Sequence, residues 1–174
     1  MFYKKLMIKI IRAEKKHAGE ILRISKNAFT IYKNELHAEV NLKALSETET
    51  DVISDIENNI VFAAVENGEI KGSVRIKKLT DGLAYIYRFA VNPDDQNLGV
   101  GGELINAAVN ECAKLGFAAA ALHTNSKYYK LARYYYGKEF YVHSTTDNLG
   151  YIRALFVKEL KENAKVDLSP AFAL

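Results

Sequence analysis

The stretch of residues 84–116 constrains the fold more than any other part of this sequence. It begins with a strand-like run at residues 84–91, which Asn92-Pro93-Asp94-Asp95 interrupts. The glycine-rich segment Gln96-Asn97-Leu98-Gly99-Val100-Gly101-Gly102 then leads into a long amphipathic segment. Small residues let backbone N–H groups approach a phosphate, and a helix start carries about half a positive charge. A strand, a glycine-rich loop and a helix in this order predict an anion site, which we interpret as the pyrophosphate site of a coenzyme.

The composition fits one domain of ordinary size and excludes several classes of partner. The chain has 174 residues, 49% of them hydrophobic, which is enough for a substantial core. The formal charge of +3 is small and no block of five or more like charges occurs, so we expect neither a nucleic-acid nor a membrane partner. No apolar run reaches signal-peptide length or the roughly 20 residues of a membrane span, which predicts a cytoplasmic protein. The single cysteine, Cys112, excludes an internal disulfide and a multi-cysteine zinc site, and we expect no metal.

Hydrophobic periodicity predicts seven strands and four helices in one α/β domain around a mixed sheet. The predicted strands are residues 6–11, 60–66, 69–78, 84–91, 117–124, 140–146 and 151–160. The first and last predicted helices are residues 13–29 and 127–136. A capping box at 46–49 predicts the start of a short second helix, which ends near 58–59. The third predicted helix follows the glycine loop and ends at Gly116. Asn67-Gly68 predicts a tight hairpin, and a helix between two strands predicts one parallel crossover. We place the domain at residues 1–160 and interpret 161–174 as an extended or loose tail.

Three motifs follow one another between residues 84 and 140. The first is Val91-Asn92-Pro93 followed by Gln96-x-x-Gly99-x-Gly101-Gly102, and the second is Leu122-His123-Thr124-Asn125 at the end of the next strand. The third is Ala132-Arg133-Tyr134-Tyr135-Tyr136-Gly137-Lys138-Glu139-Phe140. In this order and spacing they resemble the GNAT superfamily of acetyl-CoA-dependent N-acetyltransferases, whose third motif reads A-x-x-F/L-Y-x-x-x-G-F. Taking Phe140 as the anchor makes Tyr135 the family tyrosine and places Glu139 where the family has glycine.

The resemblance implies a mixed, mainly antiparallel sheet of about seven strands with four helices and a splayed central strand pair. It also implies acetyl-CoA as co-substrate, with its pyrophosphate on the glycine loop and its pantetheine arm in the gap between the splayed strands. The residues predicted to contact the coenzyme are Phe89, Ala90, Val91, Gln96, Asn97, Leu98, Gly99, Val100, Gly101, Gly102 and Asn125.

Acetyl transfer to an amine needs an oxyanion donor, an acid for the departing thiolate and a base for the amine. The resemblance implies the backbone N–H of Val91 for the first role. Tyr135 is the predicted general acid, because a phenol with a pKa near 10 suits a thiolate of similar basicity. Some family members carry a glutamate on the strand before the loop, where this chain has Tyr85, so the base stays open among His123, Glu39 and His37. Cys112 lies on the apolar helix face and is interpreted as structural.

The acceptor is expected on the opposite side of the gap from the coenzyme. Its predicted contacts are Tyr32, Glu35, His37, Glu39, Tyr85, Tyr87 and Arg88. The predicted reaction is direct attack of a primary amine, on a small molecule or a protein, on acetyl-CoA in a ternary complex. The alternative is a non-catalytic module that binds acyl-CoA as a sensor or regulatory subunit. A homodimer is compatible with the sequence.

Overall fold

The computed structural model describes residues 7–36 and 40–174, which build one sheet with helices on both faces. The strands are β1 (Lys9–Arg12), β2 (Ile60–Glu66), β3 (Glu69–Lys78), β4 (Leu83–Val91), β5 (Ala119–Asn125), β6 (Tyr141–Thr146) and β7 (Arg153–Glu159). The helices are α1 (Ala18–Leu36), α2 (Lys43–Ser46), α3 (Glu49–Asn58), α4 (Val100–Lys114), α5 (Tyr129–Tyr136) and α6 (Ser169–Phe172). Single 3₁₀ turns precede α1 at Lys15–His17 and α4 at Pro93–Asp95. In the described part of the chain, no helix has the length and apolar character needed to cross a membrane.

The strand order is β1-β2-β3-β4-β5-β7-β6, and every neighbouring pair is antiparallel except β4 and β5. Helix α4 connects these two parallel strands, which cannot be joined by a tight turn. Asn67 and Gly68 both have positive φ, at 51° and 85°, as the predicted hairpin turn requires. The predicted α/β class and the seven strands are therefore confirmed. Four helices are longer than one turn, and the single turns α2 and α6 were not predicted.

Apolar helix faces cover both sides of the sheet. Leu104 and Ile105 of α4 are fully buried on one face, and Ile21 of α1 and Val52 of α3 are fully buried on the other. Each such side chain contributes about 1.5–3 kcal/mol when it leaves water. Cys112 lies in the first of these cores, and burial raises the pKa of its thiol to about 12. The thiol is therefore protonated at pH 7, in keeping with a structural role.

Helix α1 is longer than its periodicity predicts. The sequence predicts a helix over residues 13–29, whereas α1 runs from Ala18 to Leu36. The last turns are held by a small cluster in which Leu36 packs with Val40 and Leu42. Because these contacts are made with a loop rather than with the sheet, they leave no regular helical period in the sequence.

The cap of α3 lies two residues later than predicted. The Thr48 hydroxyl accepts from the Asp51 amide at 3.3 Å, and the Asp51 carboxylate accepts from the Thr48 amide at 2.7 Å. The predicted cap, Ser46, instead ends α2, where its hydroxyl donates to the Lys43 carbonyl. The segment at 161–174 also differs from its interpretation as a loose tail, since Ala171 is fully buried against the sheet face that carries Leu83.

Candidate functional site

The two central parallel strands pair over only a short distance and then separate. The β4–β5 register covers Leu83↔Ala119, Ala84↔Ala120 and Tyr85↔Ala121, and it stops there. Strand β5 continues to pair with β7 as far as Asn125, so the separation leaves one edge of β4 without a partner. The predicted splayed strand pair is therefore present, and it opens a gap in the middle of the sheet.

A β-bulge in β4 produces this separation. Arg75 of β3 lies opposite Tyr87, but Ser73 lies opposite Ala90, so β4 has one residue more than β3 over this interval. Arg88 lies in the bulge with a φ of 48°, a left-handed conformation that is uncommon for a non-glycine residue. Its Nε donates to the Glu47 carboxylate at 2.7 Å, which holds the side chain in place. The bulge turns the remainder of β4 away from β5.

The backbone of Val91 faces the gap. The neighbouring Asn92 amide donates to the Lys71 carbonyl of β3 at 2.8 Å. Because successive amides of a strand point to opposite sides, the Val91 N–H points away from β3 towards the gap. Pro93 follows and ends the ladder, since it has no N–H to donate. Phe89, Ala90 and Val91 thus lie where the pantetheine contacts are predicted.

The glycine loop ends at the start of α4 with free backbone amides. Gly99 is the N-cap residue and has a φ of 91°, which favours glycine. The first α4 amide with a carbonyl partner is that of Glu103, which donates to Gly99, so within the described part of the chain the amides of residues 100–102 have no partner. A Cβ on Gly101 would lie 3.1 Å from the Phe89 ring, which shows how closely α4 approaches β4. Of the remaining loop residues predicted to bind the coenzyme, Gln96, Asn97 and Leu98 are exposed.

Two side-chain hydrogen bonds cross the gap region. The Tyr85 hydroxyl of β4 and Nδ1 of His123 on β5 lie 2.8 Å apart, just beyond the last paired residues. Further along, the Asn125 amide donates to the Tyr32 hydroxyl at 2.8 Å, which attaches α1 to the end of β5. These contacts bring together the predicted acceptor residues Tyr32 and Tyr85 with the candidate base His123.

Tyr85 is buried, His123 is half-buried, and both side chains are uncharged at neutral pH. Burial raises the pKa of Tyr85 to about 12. Burial also lowers the pKa of His123 to about 4, and the Arg153 charge acts in the same direction. The second ring nitrogen of His123, Nε2, is buried without a hydrogen-bond partner among the described residues. His123 therefore presents a neutral imidazole beside the gap.

Helix α5 directs two tyrosines towards the sheet. Tyr135 is buried and packs edge-on against Phe140, with Phe156 also in contact. Burial strongly raises the pKa of Tyr135, so its hydroxyl stays protonated well above neutral pH. The Tyr134 ring stacks on Phe89, and its hydroxyl lies 3.6 Å from the position of a Cβ on Gly101. Tyr134 therefore lies between the glycine loop and the gap, although the sequence predicted a role only for its neighbour.

The remaining predicted site residues lie at different distances from the gap. The Asn125 side chain accepts from the Lys127 amide and is used in the turn before α5. Glu35 is exposed near the end of α1, and His37 and Glu39 lie outside the described residues. Tyr87 and Arg88 line a cavity of about 510 Å³ on the α3 side of β4, beside the bulge.

Sequence reasoning missed three residues of this region: Tyr134, Glu47 and Lys77. The tyrosine run in α5 indicated that one side chain could reach the gap, but only the packing against Phe89 distinguishes Tyr134. Glu47 comes from the loop before α3 and Lys77 from β3, and both line the same cavity as Arg88. No local motif could have identified them, because they meet Arg88 only through the tertiary fold.

Comparisons with known proteins point to one family. The model of the acetyltransferase (GNAT) family matches residues 27–140. A search of curated proteins found no match.

Several solved structures share the fold. The PaiA N-acetyltransferase from Thermoplasma acidophilum, solved with coenzyme A, superposes with a TM-score of 0.76 at 14% identity, over 88% of this chain and 99% of that chain. YncA from Salmonella typhimurium, solved with its cofactor acetyl-CoA, superposes with a TM-score of 0.74 at 17% identity, over 92% of this chain and 98% of that chain. The ribosomal-protein-S18-alanine N-acetyltransferase from Escherichia coli superposes with a TM-score of 0.70 at 18% identity, over 92% of this chain and 100% of that chain.

Proposed function

The chain belongs to the GNAT family of acetyltransferases, and on this premise we propose that it moves the acetyl group of acetyl-CoA to a primary amine by direct attack in a ternary complex. The observation that carries the proposal is the end of the β4–β5 ladder at Tyr85 and Ala121. Beyond it, the free edge of β4 and the free amides of α4 lie along one path. A thioester with a long amide-bearing arm and a pyrophosphate is the kind of ligand that such a path accommodates.

The residues present fit this coenzyme. The amides of residues 100–102 and the positive end of α4 suit a pyrophosphate, and the exposed Gln96 can add a side-chain hydrogen bond. The unpaired edge of β4 from Phe89 to Val91 offers backbone groups to the amides of a pantetheine arm. When bound, acetyl-CoA supplies an acetyl group that is activated as a thioester.

Two groups of the chain are proposed to act on the thioester. The Val91 N–H donates a hydrogen bond to the carbonyl oxygen and stabilises the negative charge that develops there. The Tyr135 hydroxyl donates its proton to the sulfur as the thiolate leaves. Burial keeps the Tyr135 hydroxyl protonated at neutral pH, but the raised pKa also makes it a weaker acid than the phenol of pKa near 10 that was matched to the thiolate from the sequence.

The amine must lose a proton before or during its attack. His123 is neutral at pH 7, lies beside the gap, and has Nδ1 hydrogen-bonded to Tyr85, which leaves Nε2 without a partner. It is the base candidate that the geometry supports, while His37 and Glu39 remain candidates outside the described residues. The second function, a non-catalytic acyl-CoA sensor, is favoured by Tyr85, which occupies the strand position where some family members carry a glutamate.

Release of free thiol from acetyl-CoA, measured with a panel of primary amines, tests the proposal. An N-acetyltransferase releases thiol only when a suitable amine is present, whereas a sensor binds acetyl-CoA without turnover. Tyr135→Phe should lower kcat by about 10²–10⁴-fold with little change in thermal stability, because it removes the acid and keeps the ring. Tyr136→Phe, which alters an exposed tyrosine, is the matched control on the same helix. Full turnover of Tyr135→Phe would remove Tyr135 from the acid role, and absence of acetyl-CoA binding would contradict both functions.

A further inference from the structure

The cavity beside the β4 bulge carries positive charge that the protein does not neutralise. We call it the cationic cavity and define it by Lys43, Lys77, Tyr87 and Arg88. It has a volume of about 510 Å³, and α2, α3, β3 and β4 all contribute to its walls. The sequence placed Tyr87 and Arg88 near the acceptor, but it did not indicate which chemical group would lie there.

Two of the three carboxylates that line this cavity, Glu47 and Asp55, are paired with arginines, and the third, Asp51, is exposed and accepts from the Thr48 amide and hydroxyl in the cap of α3. Arg75 is fully buried beneath it, and its Nη1 lies 2.6 Å from the Asp55 carboxylate and 3.0 Å from that of Glu47. Arg88 makes a further ion pair with Glu47 at 2.7 Å. Two guanidinium groups therefore neutralise Glu47 and Asp55, and neither acid is free to bind a cationic ligand.

The two lysines of the cavity are not paired. In the described part of the chain, Lys77 makes no hydrogen bond or ion pair, and its ammonium lies 5.5 Å and 5.3 Å from the ring centres of Tyr85 and Tyr87. Lys43 likewise has no partner in that part of the chain and lies near Lys77 on the exposed helix α2. The Tyr87 hydroxyl is buried there beside the Asp55 carboxylate, and among the described residues it has no hydrogen-bond partner within 3.5 Å. The unsatisfied groups are thus two cations and one hydroxyl donor.

The surroundings of Lys77 favour the binding of an anion next to its ammonium group. Burial lowers the pKa of Lys77, the Asp55 charge opposes that effect, and the charges of Arg88 and Lys43 add to it. The charged form of a partly buried ammonium beside other cations is stabilised when a negative group binds next to it. The Arg75 guanidinium is taken up by Glu47 and Asp55, and Arg88 holds Glu47 through Nε. Two single ammonium groups and one hydroxyl suit the two oxygens of a carboxylate.

The cationic cavity lies beside the predicted point of acetyl transfer. Tyr87 and Arg88 immediately precede the segment from Phe89 to Val91, whose backbone faces the gap. Adjacent residues of β4 therefore line the cavity and the gap.

We propose that the cationic cavity binds a carboxylate of the acceptor, so that the substrate class is an amine that also carries a carboxylate. Lys77 and Lys43 contact the carboxylate, and the Tyr87 hydroxyl donates to it. The inference rests on the proposed acetyl transfer, but the binding it describes can be measured without turnover.

The experiment compares acceptors that differ only in this group. Glycine, β-alanine and 4-aminobutyrate are each assayed against the corresponding primary amide, and putrescine and spermidine serve as amines without a carboxylate. For the wild type we expect kcat/KM to favour the acids. Lys77→Met should lower the acid-to-amide ratio by about tenfold to a hundredfold, because it removes a charged hydrogen bond and keeps the apolar stem. Comparing this ratio between each variant and the wild type cancels the different intrinsic reactivities of the amines.

Matched controls separate the cavity from general charge effects. Lys78→Met removes the next charge on β3, which is exposed and pairs with Asp81, and it should leave the acid-to-amide ratio unchanged. Lys43→Met is a second cavity variant on an exposed helix, where misfolding is not expected, and it should also lower the ratio. Calorimetric titration of the coenzyme A complex with 4-aminobutyrate measures binding directly and should show weaker binding in both cavity variants.

The outcomes distinguish the inference from the proposed function. If no amine in the panel releases thiol, acetyl transfer to these amines is contradicted and the calorimetric comparison alone decides the inference. If putrescine, spermidine or the amides are preferred, the inference is wrong and the proposed function stands. The inference would also be overturned if the acid-to-amide ratio and the affinity for 4-aminobutyrate were the same in the wild type and in both cavity variants.

Discussion

Two charged residues, one in the β4 bulge and one after α5, hold left-handed backbone conformations that are unfavourable for side chains with a Cβ. Arg88 has a φ of 48° and Glu139 a φ of 63°. Each conformation costs about 1–2 kcal/mol relative to glycine. Each side chain also makes an ion pair, Arg88 with Glu47 and Glu139 with Lys158. Glu139 lies at the position where the motif resemblance predicts glycine, and its left-handed φ is one that glycine adopts readily.

The half-buried His123 predicts a specific pH dependence of stability. In the unfolded chain a histidine has a pKa near 6.5, whereas in the folded protein burial lowers the pKa of His123 to about 4. As the pH falls from 6.5 to 4, the unfolded state takes up a proton that the folded state does not. The contribution of His123 to the free energy of unfolding should therefore decrease through this window and level off below it.

Urea unfolding from pH 7.5 to pH 4 measures this effect. The stability of His123→Gln relative to the wild type should improve steadily as the pH is lowered, because glutamine does not titrate. His143→Gln, which alters an exposed histidine, is the control and should follow the wild-type curve. Parallel curves for the wild type and His123→Gln would show that His123 is not buried as a neutral group.

At the scale of elements, the gap depends on the close approach of β3, β4 and α4. Gly72 of β3 pairs with Val91 of β4. A Cβ on Gly72 would lie 2.8 Å from the Ala90 carbonyl oxygen and 3.3 Å from Val100 at the start of α4. A backbone carbonyl cannot give way as a flexible side chain can. Glycine at this position therefore keeps the predicted pantetheine edge and pyrophosphate loop at their mutual distance.

Gly72→Ala should weaken coenzyme binding as well as stability. The added methyl group displaces β4 and α4, and such overpacking costs about 1–3 kcal/mol. Calorimetric titration with coenzyme A and urea unfolding measure the two effects. Gly82→Ala is the control, because a Cβ there would meet only the Ala118 Cβ at 4.0 Å. Unchanged coenzyme affinity in Gly72→Ala would contradict a coenzyme path along β4.

At the scale of the whole molecule, one buried arginine connects the sheet to the helical layer above the cationic cavity. Arg75 of β3 makes ion pairs with Glu47, in the loop before α3, and with Asp55, in α3 itself. Glu47 also binds Arg88 in the β4 bulge. The same set of charges thus holds α3 on the sheet and positions the bulge that opens the gap.

Arg75→Met should destabilise the whole fold by about 3–5 kcal/mol, because it leaves Glu47 and Asp55 without their main counter-charge in a partly buried site. Urea unfolding gives the value. Arg23→Met is the control, since Arg23 is exposed and its pair with Glu20 is worth about 0–1 kcal/mol. A loss below about 1 kcal/mol for Arg75→Met would show that this network does not hold the layers together.

The pattern of residues was sufficient to predict the α/β class, the seven strands and the position of the glycine loop. These features depend on local periodicity, on turn residues such as Asn67-Gly68, and on small residues at a helix start. For the same reason the motifs between residues 84 and 140 were sufficient to predict the family. The end of α1 was mispredicted because Leu36 packs against a loop, which leaves no period in the sequence.

Only the tertiary structure determined which side chains surround the gap. Tyr85 and His123 are separated by 38 positions, and Tyr32 and Asn125 by 93, yet each pair is joined by a hydrogen bond. The cationic cavity likewise combines α2, β3 and β4, and the pairing of Glu47 with two arginines decides which of its charges remain free. Contacts between residues distant in the chain depend on strand register and on the β4 bulge, and neither leaves a pattern in neighbouring residues.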